Sequence, residues 1–107
     1  MHQRKPFQRI GVEAAETLIR RDDALVFDAR DAASFARAHI EGARHLVQAE
    51  LATIIGSTPK SRPILIYCYR GNASQVLAQT FSDFGFPETY SLDGGYEAWA
   101  TAQKASA

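Results

Sequence analysis

The sequence predicts an α/β domain with a mostly parallel central sheet flanked by helices on both faces. Compact apolar runs, such as Ala24–Phe27 and Pro63–Tyr67, alternate along the chain with longer amphipathic segments. That alternation implies parallel strands covered on both sides. A length of 107 residues suits one domain with a real core. The whole chain, residues 1–107, is expected to form it, ordered over about residues 5–101, with the small polar tail Ala102–Ala107 fraying.

Taken in order, Phe7–Ile10 reads as a short first strand. Val12–Arg21 reads as a helix with Val12, Ala15, Leu18 and Ile19 on one face. Ala24–Phe27, ending at Asp28, reads as a buried strand. Asp31 is placed to N-cap a short helix through Ala38, with Phe35 facing inward. His39–Ala43 turns the chain toward a short strand in Arg44–Val47. Ala49–Ile55 is a short helix stopped by Gly56, and Ser57–Pro63 is a polar connector. Ile64–Tyr67 is the central strand. Ser74–Phe84 is a helix with Val76, Leu77, Phe81 and Phe84 on its apolar face, stopped by Gly85. Thr89–Leu92 is the last strand, Gly94-Gly95 a turn, and Tyr96–Ala102 a final helix with Trp99 packed inward.

The bulk composition narrows the function. Lys plus Arg equals Asp plus Glu, 12 against 12, so no long-range field points to nucleic acid or an anionic membrane. The cluster Arg4-Lys5 with Arg9 is too small to be a nucleic-acid patch. A single cysteine excludes an internal disulfide and a cysteine-rich metal site, and fits a reducing compartment. His2 and His45 have no matching carboxylate or cysteine partners, so no metal site is expected. The N-terminus lacks the apolar core of a secretion signal, and no stretch approaches membrane-spanning length. A cytoplasmic protein is expected.

That lone cysteine, Cys68, carries the main chemical signal. It ends an apolar strand and is followed by Tyr69, Arg70, Gly71, Asn72 and Ala73, with Ser74 opening a helix. Backbone N–H groups of such a loop can converge on one anionic atom, and the helix N-terminus adds positive potential. Both lower a thiol pKa, and the thiolate is the nucleophile. A buried structural cysteine at a strand end is the other reading. The fold class favours the reactive one, because ligands of open α/β sheets sit beyond the carboxyl ends of strands.

Three segments together resemble the rhodanese family of sulfurtransferases, in particular its short single-domain thiosulfate sulfurtransferases. They are Phe27-Asp28-Ala29-Arg30 with Phe35 and His39–Ala43, then Cys68–Ser74, then Leu92-Asp93-Gly94-Gly95-Tyr96-Glu97-Ala98-Trp99. The resemblance implies transfer of a sulfane sulfur from thiosulfate to a thiophilic acceptor through a persulfide on Cys68, with no cofactor or metal. The acceptor is cyanide in an assay, or a small thiol or thioredoxin-like protein in the cell. Monomer and weak dimer both fit.

Within that reading, the amides from Tyr69 through Ser74 bind the transferred sulfur. Gly71 supplies positive φ and Asn72 tolerates unusual backbone. Arg70 attracts the donor dianion. Ser74 caps the following helix, with a position facing the sulfur as its second possibility. Asp28 and Arg30 form a structural pair near the site, His39 is structural, and Tyr69 and Tyr96 are aromatic packing at the pocket's border. The chain departs from the family pattern in two places. Ala73 stands where many loops carry arginine, and Ala38 stands where a glycine usually precedes the signature histidine.

Other readings compete. A non-catalytic rhodanese-like regulatory or protein-binding module is the main alternative. A cysteine phosphatase or arsenate reductase needs a longer loop with arginine where Ser74 stands. A peroxide-sensing thiol is the third.

Overall fold

The computed structural model describes residues 6–106. Its elements are β1 (Gln8–Ile10), α1 (Val12–Ile19), β2 (Leu25–Asp28), α2 (Ala32–Arg37) and β3 (Arg44–His45), then a 3-10 turn (Gln48–Glu50) leading into α3 (Leu51–Ser57). β4 (Ile64–Tyr67), α4 (Ala73–Asp83), β5 (Thr89–Leu92) and α5 (Gly95–Ser106) complete the order. The strands form one five-stranded sheet in the order β1-β5-β4-β2-β3. Every neighbouring pair is parallel, with Phe27 opposite Ile66 and Ile66 opposite Ser91 at its centre.

Successive side chains of a strand point to opposite faces, and here both faces are covered. Leu65, Tyr67, Val26 and Leu92 pack with Ala15 and Leu18 of α1, and Tyr96 and Trp99 of α5 close on the same cluster. Ile64, Ile66 and Phe27 face the other way, against Ile55 of α3 and Ala78 and Phe81 of α4. From β2 the chain moves outward to β3, whereas from β4 it moves the opposite way to β5. The loops after β2 and β4 therefore diverge and leave a crevice at the strand carboxyl ends.

Several boundaries differ from the sequence reading. α1 ends two residues early at Ile19, and β3 spans only two residues. Gly56 lies inside α3 and not beyond its end. The final helix does not stop at Ala102 but runs to Ser106. The apolar face assigned to α4 is corrected most: Val76 is 70% exposed and Phe84 60%. The buried stripe is Ser74, Ala78, Phe81 and Ser82, at helical spacing but half of it serine, with Leu77 partly covered. Leu77 and Phe81 of the expected face do meet the core, whereas Val76 and Phe84 do not, because apolarity alone does not fix which stripe of a helix meets the sheet. His2, the Arg4-Lys5 pair and Ala107 lie outside the described residues. Among the described residues, no helix is long and apolar enough to cross a membrane.

Candidate active site

The alternation of β4 places Ile64 and Ile66 toward α3 and α4, and Cys68 continues that set. The thiol consequently meets the start of α4. Gly71, at φ +94°, folds the loop back so that its N–H donates to Cys68 Sγ at 3.2 Å. The Ser74 N–H donates to the same sulfur at 3.3 Å, and Ser74 Oγ lies 3.3 Å from it. Cys68 is 4% exposed, so these donors act in a poorly solvated place. Burial pushes the thiol pKa up; the Ser74 hydroxyl and the amides of Ser74, Gly71 and Arg70 push it down and prevail.

Two local assignments change. Ser74 is the second residue of α4, and its hydroxyl faces the sulfur and Ser91 Oγ (2.8 Å) and does not cap the helix. Asn72 occupies the N-cap position at φ −91° without a side-chain cap bond, so its tolerance of left-handed backbone goes unused. Ala73 is the first helical residue. The amides that act on the thiol, those of Arg70, Gly71 and Ser74, are a subset of the expected run.

The rest of the loop is held from two sides. The Tyr69 hydroxyl donates to Asp31 Oδ1, and the Asp31 N–H donates to Tyr69 Oη at 3.3 Å. Asp31 also caps α2 as expected, accepting from Ser34 N at 3.1 Å. Hydrogen bonds from the Ser34 hydroxyl and amide hold the Asp31 carboxyl below its usual range. On the far side, Arg70 Nε donates to Glu97 Oε2 at 3.2 Å, with both side chains mostly exposed.

Behind the loop sits the pair read as structural. Arg30 is forked onto the fully buried Asp28 carboxylate, with Nη2–Oδ2 at 2.7 Å. The same nitrogen donates to the Ala38 carbonyl at 2.6 Å, and the guanidinium lies 4.1 Å from the Tyr96 ring centroid. Ala38 is extended at φ −167°, a conformation any residue adopts, so alanine serves in place of glycine there. Tyr67 Oη accepts from the Ile40 N–H at 3.0 Å, and burial beside Asp28 raises the phenol pKa. His39 stacks on Phe35 at 4.0 Å, its Nδ1 lying 2.8 Å from the Phe35 carbonyl, a packing role as read from sequence. His45 Nε2 lies 2.7 Å from the Arg30 carbonyl. Among the described residues, no three His, Cys, Asp or Glu side chains gather as a metal site requires.

The sequence reading missed how the C-terminal helix seats the loop. The Tyr96 N–H donates to the Cys68 carbonyl at 2.8 Å and the Glu97 N–H to the Tyr69 carbonyl at 3.2 Å. Such an approach leaves no room for a side chain at Gly95, where a Cβ would come within 2.5 Å of the Cys68 oxygen. The Gly94-Gly95 pair was the available signal, but it read only as a turn. An open cavity of about 420 Å³ adjoins the loop, lined by Arg30, Tyr69, Arg70, Tyr96 and Glu97. Both tyrosines border the cavity, but only Tyr96 packs as expected, stacked on Tyr67 at 6.0 Å; Tyr69 is 49% exposed and is held by Asp31 instead.

Fold and loop define a class: a parallel α/β domain carrying one cysteine in an amide cradle at the carboxyl end of its central strand. Comparison with known proteins identifies the fold and the family. The rhodanese-like domain model matches residues 12–102. A Pseudomonas aeruginosa protein named thiosulfate sulfurtransferase GlpE is 43% identical over 99 residues, 92% of this chain and 89% of that protein. Its Pseudomonas putida namesake is 44% identical over 93 residues, 87% and 84% of the two chains. A rhodanese-related protein of Thermoplasma volcanium superposes with a TM-score of 0.76 at 18% identity, over 90% of this chain and 93% of that one. The chain belongs to the rhodanese-like family.

Proposed function

We propose that this protein is a thiosulfate sulfurtransferase that carries the transferred sulfur on Cys68. The observation that carries the reading is the convergence of the Gly71 and Ser74 amides and the Ser74 hydroxyl on Cys68 Sγ at 3.2–3.3 Å. The two Pseudomonas relatives, named for this activity, support it.

In the first half-reaction, the Cys68 thiolate attacks the outer sulfur of thiosulfate. A new S–S bond forms, the bond to the oxidised sulfur breaks, and sulfite leaves with that electron pair. The cradle stabilises an anionic sulfur without reorganising. In the second half-reaction, cyanide or a thiolate attacks the outer sulfur and Cys68 departs as a thiolate. Arg70, at the cavity rim, supplies positive charge for the arriving dianion in place of the arginine absent at Ala73. Tyr69, Asn72 and Ala73 complete the loop that encloses the sulfur. The site needs no metal or organic cofactor for these steps. A small thiol or a thioredoxin-like protein fits as acceptor, and the unpaired thiol suits the reducing cytoplasm.

The test is intact-protein mass after brief exposure to thiosulfate, alongside thiocyanate formation with cyanide. A gain of one sulfur atom, absent in Cys68→Ala, is expected. A chain that gains no sulfur and makes no thiocyanate is instead a binding module.

A further inference from the structure

Ser91 lies in the middle of β5, is fully buried, and faces the α4 side of the sheet between Tyr90 and Leu92, which serve the opposite core. A hydroxyl in such a place is costly unless it is paired. Its side-chain partner is Ser74 Oγ at 2.8 Å, and that oxygen is 3.3 Å from Cys68 Sγ. Ser74 is also fully buried, so water has little access to either hydroxyl.

The donors and acceptors of this chain are nearly determined by counting. A thiolate only accepts, and a serine hydroxyl has one proton and two lone pairs. When the Ser74 proton is aimed at the sulfur, it is not available to Ser91. The 2.8 Å contact is then filled by the Ser91 proton, donated to Ser74 Oγ. We propose that Ser91 is a positioning residue whose buried hydroxyl donates to Ser74 and thereby holds the Ser74 proton on the Cys68 sulfur. Ser91 does not touch the reacting atoms; it acts by blocking the competing orientation of the Ser74 hydroxyl and by polarising its O–H bond. The inference rests on Cys68 working as a thiolate, the state that the proposed transfer requires.

The experiment follows the pH dependence of Cys68 alkylation by iodoacetamide in the whole chain, a readout independent of sulfur transfer. Ser74→Ala removes a direct donor and is expected to raise the midpoint by about one unit, a tenfold loss of thiolate below it. Ser91→Ala is expected to raise it by about half a unit, roughly threefold. In the Ser74→Ala background, Ser91→Ala is expected to add nothing, because the effect runs through that hydroxyl. The charged groups around the loop, namely Arg70, Glu97, Asp31 and the Asp28–Arg30 pair, are unchanged in all these variants. Should Ser91→Ala fail to fold, Ser91→Thr and Ser91→Val give the same comparison, since they differ only by hydroxyl against methyl. An unmoved midpoint in the folded Ser91 variant lacking a hydroxyl, or an equal shift with and without Ser74, overturns the proposal. Absent sulfur transfer with these shifts intact overturns the enzyme reading alone.

Discussion

Gly95→Ala tests how the C-terminal helix supports the reactive loop. Gly95 sits at φ +58°, where a residue with a Cβ pays roughly 1–2 kcal/mol of backbone strain. The added Cβ would stand 2.5 Å from the Cys68 oxygen and 2.6 Å from both the carbonyl carbon and oxygen of Tyr69. All three are backbone atoms, so no side chain can swing aside. Relief requires moving α5 off the loop or the loop off α4. Overpacking of this kind costs about 1–3 kcal/mol more. The total, about 2–5 kcal/mol, is a large part of the stability of an ordinary domain. Gly85→Ala is the matched control: its φ is +95°, but nothing lies within 4 Å of its Cβ position. It is expected to lose only the strain component. Urea unfolding of both variants, beside the Cys68 alkylation rate, measures the difference. Gly95→Ala should be the less stable variant and should alkylate more slowly at neutral pH, because displaced amides no longer favour the thiolate. Equal stabilities and an unchanged alkylation rate would refute the claim that the helix–loop contact shapes the site.

Other expectations follow from the same geometry. Cys68 should alkylate with a midpoint below that of an ordinary cysteine, since its pKa is lowered in the folded chain. The associated stability is present above the unfolded thiol's pKa and is lost as pH falls through the folded value, a trend that Cys68→Ser should remove while abolishing transfer. Asp28→Asn leaves the buried Arg30 charge without its carboxylate and should cost about 3–5 kcal/mol in denaturant unfolding. Arg70→Ala, at an exposed pair, should change stability by less than about 0.5 kcal/mol yet raise the KM for thiosulfate; unchanged kinetics would remove its anion role. Phe81→Ala should cost about 3–5 kcal/mol, since Phe81 is fully buried, whereas Phe84→Ser should be near neutral.

The order of elements and chemical groups along the chain was legible because it is local. The run ending in Cys68, the glycine three residues on and the helix that follows are all near neighbours, and short-range backbone rules connect them. Asp31 as a cap and Gly71 as the left-handed residue follow from the same rules and stand in the structure. The resemblance to rhodaneses extended this reading across three separated segments. The alternation of elements likewise announced a parallel sheet, and all its pairings are parallel.

The misplaced details depend on contacts between distant residues. A serine at a helix start is an N-cap by local rules, but Ser74 has a sulfur on one side and Ser91, 17 residues away, on the other. The buried side of α4 is set by which stripe meets the sheet, and a stripe containing Ser74 and Ser82 carries little apolar signal. Gly95 reads as a turn until β4 and β5 are side by side and bring it against the Cys68 carbonyl. Residue types and their spacing specify backbone conformation and the reactive atom. Which hydroxyl, amide or glycine ends up beside that atom is decided by sheet order and register, because hydrogen bonds and steric contacts act over a few ångströms of space, whatever the separation along the chain.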